Sequence, residues 1–144
     1  MRLVDLQAMA AGIEELARWL RRQVPSELSF SSLSALTRLK EMGPLRVSEL
    51  ATLEAMTQPG STILVNRLAD GGYAERVPDP TDRRAALVRI TEAGEALLAG
   101  RARQRARILA ERIESLSDED QQLLVSALPA LRRLLATTDT QGRS

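Results

Sequence analysis

Apolar residues recur at helical spacing through most of this 144-residue chain, and the period changes in one place. There Tyr73-Ala74-Glu75-Arg76-Val77 and Leu87-Val88-Arg89-Ile90 take the alternation of strands. Asp79-Pro80-Thr81-Asp82-Arg83-Arg84 lies between them, a polar run of turn-forming residues too long for a tight hairpin. A hairpin that pushes a charged loop into solvent, set within an otherwise helical chain, leaves few folds open.

The helical stretches around it are legible from their ends. The first, about 3–22, carries Leu3, Leu6, Met9, Ile13, Leu16 and Leu20 on one face and stops before Pro25. A second, about 31–42, has Leu33, Leu36 and Leu39 as its apolar row and ends at Gly43-Pro44. A short third follows, about 47–54, where Arg46 stands in place of a Ser or Thr cap. After a turn at Ala55-Met56-Thr57 the fourth, about 58–70, has Thr57 as its N-cap and Pro59 in its first turn, and Gly71-Gly72 ends it. Beyond the hairpin come helices at about 92–115, capped by Thr91, and 118–136, announced by Ser117 and three acidic residues. Pro129 inside the last predicts a kink.

Composition bounds the chemistry. The 44% hydrophobic and 27% charged content suits one domain over 1–144. With no Cys and no His there is neither a disulfide, a Cys/His zinc site nor a Cys or His nucleophile–base pair. The carboxylates are scattered along helix faces, with no phosphate loop, so neither an enzyme, a metal nor a cofactor is expected. No apolar run spans a bilayer, and the opening residues lack a signal-peptide core, so the expected place is the cytoplasm.

Helix, tight turn, helix and hairpin, in that order, make a winged helix-turn-helix: mainly α with a small β wing. The second helix of such a pair enters a major groove while the first braces it. On that helix the chain offers Thr57, Gln58, Gly60, Ser61, Thr62 and Asn66 as short donors and acceptors for base edges, with Ile63 for a thymine methyl and Arg67 beside them. A solvated helix face is the plain alternative, about as good by itself. The wing shifts the balance. Net charge is only +1, but Arg76, Arg83, Arg84 and Arg89 face two Asp between residues 76 and 89. Arg83 and Arg84 near the tip of a projecting loop suit a minor groove, with Asp82 orienting one guanidinium. Arg46 either loosens the third helix or meets a phosphate. Gly60 gives no side-chain contact and lets backbone approach DNA. The rival is a winged helix that binds an acidic protein; salt-dependent binding of duplex DNA separates the two.

The stretches Leu-Arg-Val-Ser-Glu-Leu-Ala (45–51), Thr-Gln-Pro-Gly-Ser-Thr-Ile-Leu-Val-Asn-Arg-Leu (57–68), Gly-Tyr-Ala-Glu-Arg (72–76) and Asp-Pro-Thr-Asp-Arg-Arg-Ala-Ala-Leu-Val-Arg-Ile-Thr-Glu-Ala-Gly (79–94) resemble the MarR family. The resemblance implies a DNA-binding lobe at 31–91 and dimerisation helices at 1–24 and 92–137, leaving 138–144 as a flexible tail. It implies a homodimer on an inverted repeat of double-stranded DNA, probing the minor groove with Arg84 positioned by Asp82. It also implies a repressor released by a small anionic aromatic ligand in a crevice beside the dimerisation helices. Arg18, Trp19, Arg22 and Phe30 lie at or near that wall, where an aromatic ring beside a guanidinium suits an aromatic carboxylate. Trp19 filling a dimer core with solvated arginines around it is the alternative. For the terminal helices, the apolar rows alone leave an intramolecular bundle and a dimer near even, and the DNA reading tips the choice to the dimer, since two-fold symmetry doubles the contacts.

Overall fold

The structure, a computed structural model, describes residues 2–136. In chain order the elements are α1 (Leu3–Arg22), α2 (Phe30–Met42), α3 (Val47–Leu53), α4 (Gln58–Asp70), β1 (Ala74–Pro78), β2 (Ala86–Ile90), α5 (Glu92–Glu114) and α6 (Asp118–Ala136). The chain divides into two compact units, one through Arg105 and one from Ala106 onward. The first unit therefore includes α1 and the first half of α5 along with the winged helix. The expected tail at 138–144, and residue 137, lie outside the described residues.

Each boundary has a local cause. The Ser29 side chain accepts the Ser32 N–H and starts α2; Thr57 accepts the Gly60 N–H and starts α4; Ser117 accepts the Asp120 N–H before α6. At the start of α3 no side chain of residue 46 caps the helix. The Glu49 carboxylate instead reaches back to accept the Arg46 N–H at 3.1 Å, so α3 is closed rather than loosened. Ala55 takes a left-handed φ of 51° in the α3–α4 turn, and Gly72 one of 79° after α4. α6 is one continuous helix through Pro129.

β1 and β2 pair antiparallel, with Ala74 opposite Ile90 and Pro78 opposite Ala86. Leu45 adds a single bridge to the outer side of β2, exchanging hydrogen bonds of 3.0 and 2.7 Å with Val88. The core of the first unit gathers Ala35, Leu36 and Leu39 of α2, Leu45 before α3, Leu50 of α3, Leu64, Val65 and Leu68 of α4, and Ala74 and Val88 of the hairpin. These are the positions where the helical rows and strand alternation converge, and their burial supplies the main driving force for the lobe. Thr91 joins α5 to it: its hydroxyl donates to the Gly72 carbonyl at 2.6 Å and accepts the Gly94 N–H at 3.2 Å. At Gly94 a Cβ would overlap the Tyr73 carbonyl oxygen and lie 2.7 Å from Ile90 Cγ1, so the close approach of α5 to the hairpin requires glycine.

α1 supplies no residue to this core, and neither α1 nor α6 has a buried residue. Leu6, Met9, Ile13 and Leu16 stay exposed on α1, and Leu124, Leu128 and Leu131 on α6.

Candidate nucleic-acid interface

α4 is anchored along one side and open along the other. Leu64, Val65 and Leu68 are buried, whereas Thr57, Gln58, Thr62, Ile63, Asn66 and Arg67 are exposed, Ile63 by 55%. Ser61 does not belong with them. Its side chain is 0% exposed and its hydroxyl donates to the Val47 carbonyl of α3 at 3.1 Å. Expected as a base reader, it is a packing residue, because its position falls on the buried arc with Leu64 and Leu68. Its small hydroxyl satisfies a carbonyl at the tight α3–α4 crossing.

Gly60 also has a structural task. It is half-buried rather than fully open, and a Cβ there would lie 3.0 Å from the Thr57 oxygen that accepts its N–H. The remaining polar groups are partly committed. The Thr62 hydroxyl donates to the Gln58 carbonyl at 3.0 Å, leaving its oxygen as an acceptor. Asn66 Oδ1 accepts from Arg76 Nη2 of β1 at 2.8 Å. Since arginine only donates, this contact orients the amide and leaves its NH₂ facing away as a donor. It also places the open side of α4 next to the strands of the wing.

The loop of the wing is organised by two aspartates with different tasks. Asp82 Oδ1 accepts the Arg84 backbone N–H at 3.0 Å, and Ala85 N–H donates to the Asp82 carbonyl at 3.1 Å. Asp82 was expected to orient a guanidinium by a bidentate pair. It orients the backbone of Arg84 instead, because the intervening turn brings the amide within reach. Arg83 and Arg84 are exposed, and among the described residues neither forms an ion pair. Arg89, by contrast, is held by Glu75 across the strands at 2.6 Å.

Asp79 was read only as a turn residue, yet it is the most enclosed acid of the wing, 5% exposed. Thr81 donates to its Oδ1 through both N–H and hydroxyl, and Arg46 donates to Oδ2 through Nε and Nη2. The two Thr81 bonds, then Arg46, hold its carboxyl at about 2. A depressed value means that the ionised pair contributes fully above about pH 4, the ordinary carboxylate range, and is lost as pH falls through about 2.

A separate cleft of about 490 Å³ opens between the end of α1, the following loop, α2 and α5. Of the four residues proposed for a ligand wall, Arg22 and Phe30 line this cleft, and Arg18 and Trp19 do not. Arg18 lies 4.0 Å from Glu14, and the Trp19 carbonyl accepts from Gln23. The sequence reading missed Arg21, Arg101 and Arg105, which bring further positive charge to the cleft. Arg101 donates to the Val24 and Pro25 carbonyls, both at 3.0 Å. Partial burial, then the like charge of Arg105, pushes its guanidinium below the ordinary range. The signal was present as the four-residue spacing of Arg101 and Arg105, but it meets the α1–α2 loop only through tertiary packing.

Comparison with known proteins settles the family. The model described as MarR family matches residues 28–86. An uncharacterised HTH-type transcriptional regulator of Mycobacterium bovis is 35% identical over 128 residues, 88% of this chain and 90% of that protein. The chain belongs to the MarR family. It is a winged helix-turn-helix, DNA-binding transcriptional regulator, as the resemblance of residues 45–94 implied. The exopolysaccharide II synthesis transcriptional activator of Rhizobium meliloti is 34% identical over 83% of this chain and 68% of its own. A Thermotoga maritima transcriptional regulator of known crystal structure has the same fold, with a TM-score of 0.80 over 94% of this chain and 99% of its own at 24% identity.

Proposed function

We propose that this MarR-family protein acts as a homodimer that represses transcription from an inverted repeat of double-stranded DNA and lets go when a small aromatic carboxylate binds. The observation that carries the DNA contact is the alignment of two open surfaces on one unit. α4 exposes Gln58, Thr62 and Ile63, and the adjoining wing exposes Arg83 and Arg84 without ion-pair partners among the described residues. α4 reads base edges in a major groove while Arg84 enters the neighbouring minor groove. Arg67 and Arg83 contact phosphate. The exposed apolar rows of α1 and α6 support the homodimer, since an apolar row of this kind calls for a partner surface.

Base reading is tested at Gln58, Thr62 and Asn66. Selection from random duplexes gives the preferred sequence, and binding to single-base variants of it gives the energy at each position. Gln58→Ala is expected to erase preference at one operator position, about 1–3 kcal/mol, and to leave the others intact. A uniform loss over all sequences would show Gln58 to be a positioning contact.

The sign of regulation is read with a reporter behind the selected operator. Expression is expected to fall when the protein is supplied; a rise would make this chain an activator, as its Rhizobium relative is named. For the ligand, the cleft holds Phe30 and Arg22 with Arg101 and Arg105, an apolar surface beside positive charge that suits an aromatic carboxylate. A ligand releases the operator only by binding the DNA-incompetent form more tightly. Trp19 is the chain's one tryptophan and lies in the helix that ends at the cleft. Titration with salicylate is expected to change its emission and to weaken operator binding together. Emission that changes at constant DNA affinity would show a site without regulation, and no change in either would exclude this class of ligand.

A further inference from the structure

We infer that Arg46 is a positioning residue: through Asp79 it sets the bearing of the wing against the reading helix, and it does not bind phosphate. The inference rests on the proposed entry of the wing into DNA. Arg46 sits immediately before α3, the helix that α4 crosses, and Asp79 immediately after β1, at the base of the wing loop. Two Arg46 N–H groups converge on Asp79 Oδ2 at 3.1 and 2.8 Å, while Thr81 occupies Oδ1 at 2.9 and 2.8 Å. Both oxygens are thus used, one by the helix-turn-helix and one by the loop. The Asp79 N–H donates to the Ala85 carbonyl at 3.3 Å, closing the same loop, and the Leu45–Val88 bridge lies alongside. A carboxylate enclosed and held from two directions fixes the angle at which the strands leave the lobe.

The charge around Arg46 argues against phosphate. Its side chain is 41% exposed, but Asp79 pairs with it directly and Asp82 and Glu49 also act on the same guanidinium. A guanidinium among three carboxylates displaces few counterions when a phosphate approaches, whereas Arg84 has no such partner among the described residues. The Glu49 contact to the Arg46 backbone does not involve the guanidinium, so removing the side chain leaves the closure of α3 in place.

Salt slopes of the full chain on its selected duplex test this, with thermal unfolding as a check on each variant. Arg84→Ala alone is expected to lower the slope by about one. Arg46→Met is expected to weaken binding about tenfold and lower the slope by the same amount, with no further fall when Arg84→Ala is added. Asp79→Asn, which leaves every arginine in place, is expected to reproduce the Arg46→Met result, and Arg46→Lys to recover part of the affinity. Slopes that add to a loss of about two, or wild-type binding by Asp79→Asn, would overturn the inference. A wild-type slope in Arg84→Ala would instead remove the wing from the interface, and the inference with it.

Discussion

A charge at Leu128 is expected to leave the protein monomeric and to weaken its binding to an inverted repeat by about 100-fold or more. Leu124, Leu128 and Leu131 form one row on α6 and all are exposed. Such a row is stable in water when a second copy covers it, and Leu128→Glu would place an unpaired charge in the covered surface. Two joined recognition helices gain from effective concentration, commonly by factors of about 10²–10⁴, and a monomer forfeits that gain. Sedimentation of Leu128→Glu and duplex titration read the two effects. Gln122→Glu, on an exposed polar position of α6, is expected to change neither. A dimeric Leu128→Glu protein with full affinity would place the interface elsewhere.

Loss of the Arg84 side chain is expected to weaken operator binding tenfold or more. A charge-assisted hydrogen bond contributes about 1.5–3 kcal/mol, and no carboxylate among the described residues competes for this guanidinium. Asp82→Ala should have the smaller effect, since Asp82 holds the Arg84 backbone N–H and leaves the side chain to find its own rotamer. Arg107→Ala on α5, an exposed residue 3.9 Å from Glu111, serves as the control and should bind as wild type. Titrations at about 50 and 200 mM salt separate the electrostatic part. Wild-type affinity and slope in Arg84→Ala would show that the wing does not touch DNA.

Much of the fold was legible because local chemistry and burial agree. Thr57, Ser117 and Thr91 are capping residues that cap, and Leu36 and Leu39 of the expected α2 row are buried. What escaped was long-range. Ser61 reads as a polar residue on a DNA-facing helix, and only the crossing of α3 reveals the carbonyl that its hydroxyl serves. Nothing about Ala55 marks it for a left-handed turn, because alanine has no local reason to take one. Arg46 and Asp79 are 33 residues apart, and Asn66 and Arg76 are joined across the turn between helix and strand. These pairs have no helical or strand period to announce them. Charge pattern placed Arg83 and Arg84 on a loop that is exposed, but it assigned to Asp82 a guanidinium where Asp82 instead holds the Arg84 backbone N–H.

Stoichiometry on DNA tests the central claim most directly. The purified chain is mixed with a duplex carrying the selected sequence, and the mass of the complex is measured by sedimentation across a titration. A dimeric winged-helix regulator predicts two chains per duplex, on half-sites about 10 bp apart centre to centre, and much weaker binding to a duplex with one half-site. Saturation at one chain per duplex, or equal affinity for one half-site and two, would contradict it.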